Sequence, residues 1–251
     1  DEEGQFIFTG SAVPADTNKI HHTGTGRFAW MTMRTMSLYE SEESTGEVSL
    51  SELFNKPNLD IFGTNHLNID SIAWLICRGG WPRATTIDKE VALDMAYRYY
   101  EAVVNNDISR VDHVQRDTER TKRILRSIAR NQCAQISVNT ICADIENNDT
   151  VAANRLTIAS YIEALKKIFV LEDSLAWNPN LRSKTAIRSS ETRYFSDPSI
   201  GVAALGVGPN DLINDLSTMG LFFESMCIRD VRVYADALEG TIYHYRDSKG
   251  L

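Results

Sequence analysis

Ile158, Tyr161, Ile162, Leu165, Ile168 and Phe169 recur at the i, i+3, i+4, i+7 spacing of one helix face, in the most regular stripe of the chain. A helix with such a face must bury it against other elements, so a packed domain has to surround it. Thr157 is placed to cap its start, and Lys166 and Lys167 stand in the last turn, where the helix dipole favours cations. Phe169-Val170-Leu171 and the later Arg193-Tyr194-Phe195 then read as the two strands of a hairpin, joined by residues 177–192. Upstream, Val114 to Arg130 places Thr121, Ile124, Leu125 and Ile128 on one side and a dense charged face on the other. Thr140 to Ile145 reads as a short helix with Asn139 as its N-cap. Helix, helix, helix, hairpin is the order of a winged helix.

Around this unit the patterning changes. Phe6-Ile7-Phe8 is a short apolar run ending on Thr9-Gly10-Ser11, expected to be a strand, and residues 12–26 are a loop rich in Pro, Gly, Thr and Asn. Phe28 to Met36 alternates as a second strand, residues 41–49 form a connection, and Val48 to Phe54 reads as a short helix. Ile69 to Arg78 is another, closed by Gly79-Gly80 and Pro82. From Asp88 to Val104 the set Val91, Met95, Tyr99 and Val103 predicts one helix face. Past the hairpin, Leu216 to Tyr234 reads as a helix and Thr241 to Tyr245 as a strand. Both ends stop inside an element, so the chain is expected to be cut at both termini.

Composition narrows the chemistry. No run approaches the roughly 18 apolar residues of a membrane span, so a soluble, cytoplasmic protein is expected, with no membrane partner. Cys77, Cys133, Cys142 and Cys227 form no C-x-x-C pair and the five histidines no ligand pattern, which predicts free thiols and no metal site. A formal net charge of −8 opposes nucleic-acid binding over the whole surface. Locally the balance reverses. Seven basic residues lie between Arg110 and Arg130 against Asp112, Asp117 and Glu119. The expected wing holds Arg182, Lys184, Arg188 and Arg193 against Glu191, while the recognition-helix surface offers Lys166 and Lys167 beside Ser160 and Glu163. These six cations are the candidate contacts to double-stranded DNA, and a protein-docking winged helix is the alternative.

Phe8-Thr9-Gly10-Ser11-Ala12, Gly26-Arg27, Arg34-Thr35-Met36-Ser37-Leu38 and Arg78-Gly79-Gly80-Trp81-Pro82 together resemble a large prokaryotic family of AAA-superfamily ATPases. Tyr161-Ile162-Glu163-Ala164-Leu165, Trp177-Asn178-Pro179-Asn180, Tyr194-Phe195-Ser196-Asp197-Pro198 and Tyr243-His244-Tyr245-Arg246-Asp247 resemble the domain of unknown function that follows the ATPase domain in that family. The resemblance implies a mixed, mostly α-helical fold in four parts. Residues 1–65 would be the end of an α/β ATPase core, 66–109 its helical lid, 110–205 a winged helix, and 206–251 the start of a restriction-endonuclease-like domain.

It also implies roles. Thr9 and Ser11 would end the sensor strand and contact the γ-phosphate or the attacking water, and Arg27 would stabilise transition-state charge. Glu224 matches the helix glutamate of a nuclease-like site. Thr35 stands where the family usually has proline. No G-x-x-x-x-G-K-[ST] occurs among the 251 residues, so ATP and Mg2+ are expected cofactors of the intact protein and not of this portion. ATP, double-stranded DNA or a protein, and a second copy of the chain are the expected partners.

Overall fold

The computed structural model describes residues 4, 6–10, 29–56, 58, 60–146, 154–177 and 191–245. Its helices are α1 (Leu50–Asn55), α2 (Ile69–Arg78), α3 (Lys89–Ala102), α4 (Ile108–Arg110), α5 (Thr118–Arg130), α6 (Val138–Glu146) and α7 (Arg155–Lys167). After strands β1 (Leu171–Ala176) and β2 (Thr192–Phe195) come α8 (Pro198–Leu205), α9 (Pro209–Asn214), α10 (Leu216–Ala237) and strand β3 (Tyr243–His244). The fold is mixed and mostly helical. A 3-10 turn, Pro82–Thr85, leads into α3, and a π-helical turn, Val103–Asp107, joins α3 to α4.

Most helices start where a short polar side chain can take an orphan N–H of the first turn. Ser49, Asn68, Asp88, Asp117, Asn154, Asp197 and Asp215 accept from Glu52, Ser71, Glu90, Arg120, Leu156, Ser199 and Thr218. Two expected caps move. Asn154, not Thr157, caps α7, and the Ser137 hydroxyl, not Asn139, accepts the Thr140 N–H (3.1 Å) at the start of α6. In both cases the chain offers several polar residues close together, and packing of the apolar face decides which one opens the helix.

The expected stripe of α7 is buried at Ile158, Tyr161, Ile162 and Leu165. It shares one core with Ile124, Leu125 and Ile128 of α5 and Ile141 and Ile145 of α6, and Thr121 of α5 is buried as well. Tyr161 ties α7 to α5, its hydroxyl accepting from the Asp117 N–H at 2.9 Å. Phe169 closes α7 with a left-handed backbone (φ 58°) and stays partly outside the core. β1 and β2 pair antiparallel from Leu171↔Phe195 to Ser174↔Thr192, so the expected hairpin is present, but its first strand runs over Leu171–Ala176 and not Phe169–Leu171. β3 adds a parallel edge at Leu175↔Tyr243. Ala134, between α5 and α6, adds an antiparallel bridge to Arg193.

Three expectations fail. Phe6-Ile7-Phe8 is exposed, Ile7 at 90%, and forms no strand. Residues 29–37 form none either, with Trp30, Met31 and Met33 exposed. An extended segment becomes a strand only when a neighbour takes its backbone groups, and no other strand among the described residues pairs with these. In α3 the buried residues are Ala92, Ala96 and Tyr100, one residue round from the expected Val91, Met95 and Tyr99; Val103, just past the helix, is buried as expected, while Val91 is 48% exposed. α3 packs against α8, and alanines permit the closer approach. α8 itself was not foreseen: Pro-Ser-Ile-Gly-Val-Ala-Ala-Leu is buried almost all round and carries no amphipathic period.

Candidate functional site

Arg78-Gly79-Gly80-Trp81-Pro82 is a junction whose first four residues contact segments distant in the chain, among them residues 36–43 and the start of α8. Arg78, at the end of α2, is buried, pairs with Glu43, donates to the Ser41 hydroxyl at 3.2 Å, and lies over the Trp74 ring. Gly79 (φ 71°, ψ −176°) takes a backbone shape that side chains avoid, and a Cβ there would collide with Asp197 and Ser199. A Cβ on Gly80 would collide with the backbone of Met36. Trp81 donates its indole N–H to the Ser199 hydroxyl (3.0 Å) and packs on Tyr99 with ring centroids 4.4 Å apart. Pro82 opens the 3-10 turn.

The partner of this junction is a buried charge relay. Asp197, fully buried, accepts from the Gly80 N–H (2.8 Å), the Ser199 N–H (3.0 Å) and hydroxyl (2.5 Å), and Arg229 (3.2 Å). Arg229 also donates to Asp230 at 2.8 Å, and Asp230 accepts the Leu38 N–H at 2.9 Å. Burial pushes the Asp197 carboxyl up, but the Arg229 guanidinium, the Ser199 hydroxyl and the Gly80 N–H outweigh it and hold the group below its ordinary value. Burial wins at Asp230, which is raised in spite of Arg229. Arg229 is raised because its two carboxylates outweigh its own desolvation. Sequence reasoning named none of the three as a site. The signal was present: Arg229 and Asp230 continue the Met219, Phe222, Met226 stripe of α10, and charges on a buried stripe call for partners.

A second cluster sits on the hairpin. Arg193 of β2 lies against Asp173 of β1 with two bonds of 2.9 and 3.0 Å. Lys166 of α7 reaches Asp173 at 2.7 Å, Glu163 at 3.4 Å and Glu191 at 3.7 Å. Asp173 is desolvated, yet Arg193, Glu191 and Lys166 bond to it and lower its pKa to about 2. The neighbouring Asp173 carboxyl raises that of Glu191. Beside it, Arg34 binds Glu172 (2.5 Å) and Asp236, and Arg232 binds Glu172 at 3.1 Å.

Of the expected site residues, the structure describes Thr9, Lys166, Lys167, Arg193 and Glu224, and it brings Lys166 and Arg193 together at Asp173. Thr9 is exposed and irregular, and Ser11 and Arg27 lie outside the described residues. Arg182, Lys184 and Arg188 also lie outside them, so only Arg193, Lys166 and Lys167 of the six cations are placed. Of these, Arg193 and Lys166 are held by Asp173, and Lys167 is half-buried. Glu224 is exposed on α10 and accepts from the Tyr194 hydroxyl at 3.3 Å. Among the described residues no group of three or more His, Cys, Asp and Glu side chains is disposed to hold a metal ion, and no helix is long and apolar enough to cross a membrane. None of the four cysteines is in a disulfide, and burial pushes the Cys77 thiol up to about 12.

The architecture defines a mostly helical protein with a three-stranded sheet, in which a buried polar junction links residues distant in the chain. The chain belongs to the family described as Domain of unknown function (DUF8612), which matches residues 69–211, more than half of its length. The match runs from the start of α2 into α9 and takes in the junction turn, the hairpin and Asp197. No curated protein and no solved structure matches the chain.

Proposed function

We propose that the chain is the C-terminal portion of a cytoplasmic AAA-superfamily ATPase, and that residues 110–205 form a winged helix which docks a protein. The docking reading rests on the pairing of Lys166 and Arg193 with Asp173, because cations neutralised within the fold release no counterions from DNA. The chain order supports a winged helix: α5, the Ala134 bridge, α6, α7, then the antiparallel pair β1 and β2. The outward side of α7 carries Leu156, Ser160 and Glu163, all exposed, which suits a protein surface better than a phosphate backbone. In the intact protein, ATP hydrolysis would move this module through the junction turn of residues 78–82.

DNA is the second reading, carried by Arg182, Lys184 and Arg188. Anisotropy titration with a short duplex at several salt concentrations separates the two. The docking reading expects no saturable binding tighter than the ~10⁻⁴–10⁻⁶ M of non-specific contacts. Tight, steeply salt-dependent binding overturns it. If changing Arg182, Lys184 and Arg188 together to alanine then lowers the log–log salt slope by about 2 to 3, DNA is the partner. The ATPase part has its own tests. Calorimetry with ATP and Mg2+ is expected to show no micromolar binding to this portion, and the coding sequence upstream of Asp1 is expected to contain G-x-x-x-x-G-K-[ST]. A gene without that loop removes the ATPase reading.

A further inference from the structure

We propose that residues 34–44 are a strap docked on the helical body, and that the buried relay Asp197–Arg229–Asp230 holds it there as one cooperative latch. The strap has no helix or strand of its own. Its backbone is held by the Met36 N–H on the Gly80 carbonyl at 2.7 Å, the Leu38 N–H on Asp230 at 2.9 Å, and the Glu43 carbonyl, which accepts from the Asn65 amide at 3.3 Å. Its ends are gripped by charge, Arg34 on Glu172 and Asp236, and Glu43 on Arg78. Between them Ser37 is fully buried and Leu38 packs on the core.

The bonds close a ring. The Gly80 carbonyl holds Met36, and two residues on, Leu38 donates to Asp230. Asp230 accepts from Arg229, Arg229 binds Asp197, and Asp197 accepts the N–H of the same Gly80. Each polar group in such a ring is placed by its neighbours, so opening one link weakens the rest. The ring joins four pieces distant in sequence: the strap, the end of α2, the start of α8 and the middle of α10. A segment attached by few backbone bonds and many charges opens at lower free energy than a packed helix. Release of the strap is therefore a separate event from unfolding, and the relay controls it whatever the protein does with nucleotide.

Arg229 touches no residue of the strap through any bond of the ring, which makes it the lever for a test. Hydrogen exchange read by mass spectrometry compares peptides covering 34–44 with peptides from α7, in the wild-type chain and in Arg229→Lys. Lysine keeps the charge but cannot bridge both carboxylates in one plane. Exchange of the strap is expected to rise about tenfold, the scale of coupling within one network, with α7 unchanged. Should Arg229→Lys fail to fold, Ser199→Ala removes one bond to Asp197 and the Trp81 indole bond without touching the strap, and a smaller rise in 34–44 with α7 unchanged is expected. A strap whose exchange is unchanged, or which speeds up in step with α7, overturns the latch.

Discussion

Gly80 and Asp173 show how much rests on single side chains. A methyl group at Gly80 would displace the Met36 backbone, so Gly80→Ala is expected to cost about 1–3 kcal/mol, the usual range for overpacking a tight site. Urea unfolding measures this, and a loss below about 0.5 kcal/mol would mean that the strap moves aside freely. At Asp173 the folded carboxyl titrates near about 2, below its unfolded value of about 3.9. The stabilisation is complete above the unfolded value and is lost as pH falls towards the folded one. Glu191, raised by its contact with Asp173, acts in the opposite sense and contributes at low pH what it loses as pH rises. Stability of the wild-type chain is expected to fall between about pH 4 and pH 2, and Asp173→Asn to flatten that fall while lowering stability at pH 7. Equal slopes in the two proteins would show that Lys166 and Arg193 do not hold the carboxylate.

At the level of elements, α3 separates pattern from packing. The every-fourth-residue set beginning at Val91 is a sound amphipathic reading, but the helix buries Ala92, Ala96 and Tyr100 instead and packs on α8 and α2. Ala96→Leu is expected to destabilise the fold by about 1–3 kcal/mol, and Val91→Ala by about 0.5 kcal/mol or less. The reverse order in thermal unfolding would restore the face expected from sequence. The hairpin makes the complementary point. Its second strand is legible in Thr192 to Phe195, but the first, Leu-Glu-Asp-Ser-Leu-Ala, carries no β-branched or aromatic residue and starts two residues after the expected one. The parallel partner β3 contributes only Tyr243 and His244, too short a run for any periodicity to mark as paired with β1.

For the molecule as a whole, the four thiols report its packing. Cys77 and Cys142 are buried, Cys133 is half-buried with its thiol on the Leu221 carbonyl, and Cys227 is exposed. Burial raises Cys77 and Cys133, and partial desolvation together with the Asp230 charge raises the exposed Cys227, so these three should label more slowly than a free thiol. Cys227 is expected to react first with a maleimide in native buffer, Cys77 and Cys142 only after unfolding, with peptide mass mapping as the readout. Early labelling of Cys77 would show that the end of α2 opens locally. The same packing covers the relay, which lies in the molecule's interior with strap, turn and α10 around it.

Sequence by itself determined the parts that depend on neighbours along the chain. Ile69 to Arg78 ends where glycine permits φ of 71°, α7 carries its stripe, and Asx or Ser residues stand ready at most helix starts, because periodicity and capping are local properties. Tertiary structure alone decided the rest. It chose Asn154 over Thr157, turned α3 by one residue, buried α8 on all sides, and brought Gly80, Asp197, Arg229 and Leu38 into one ring across 192 positions between Leu38 and Asp230. The physical reason is that a buried charge is stable only beside its partners, and partners so distant in the chain are supplied by packing rather than by any repeat within it.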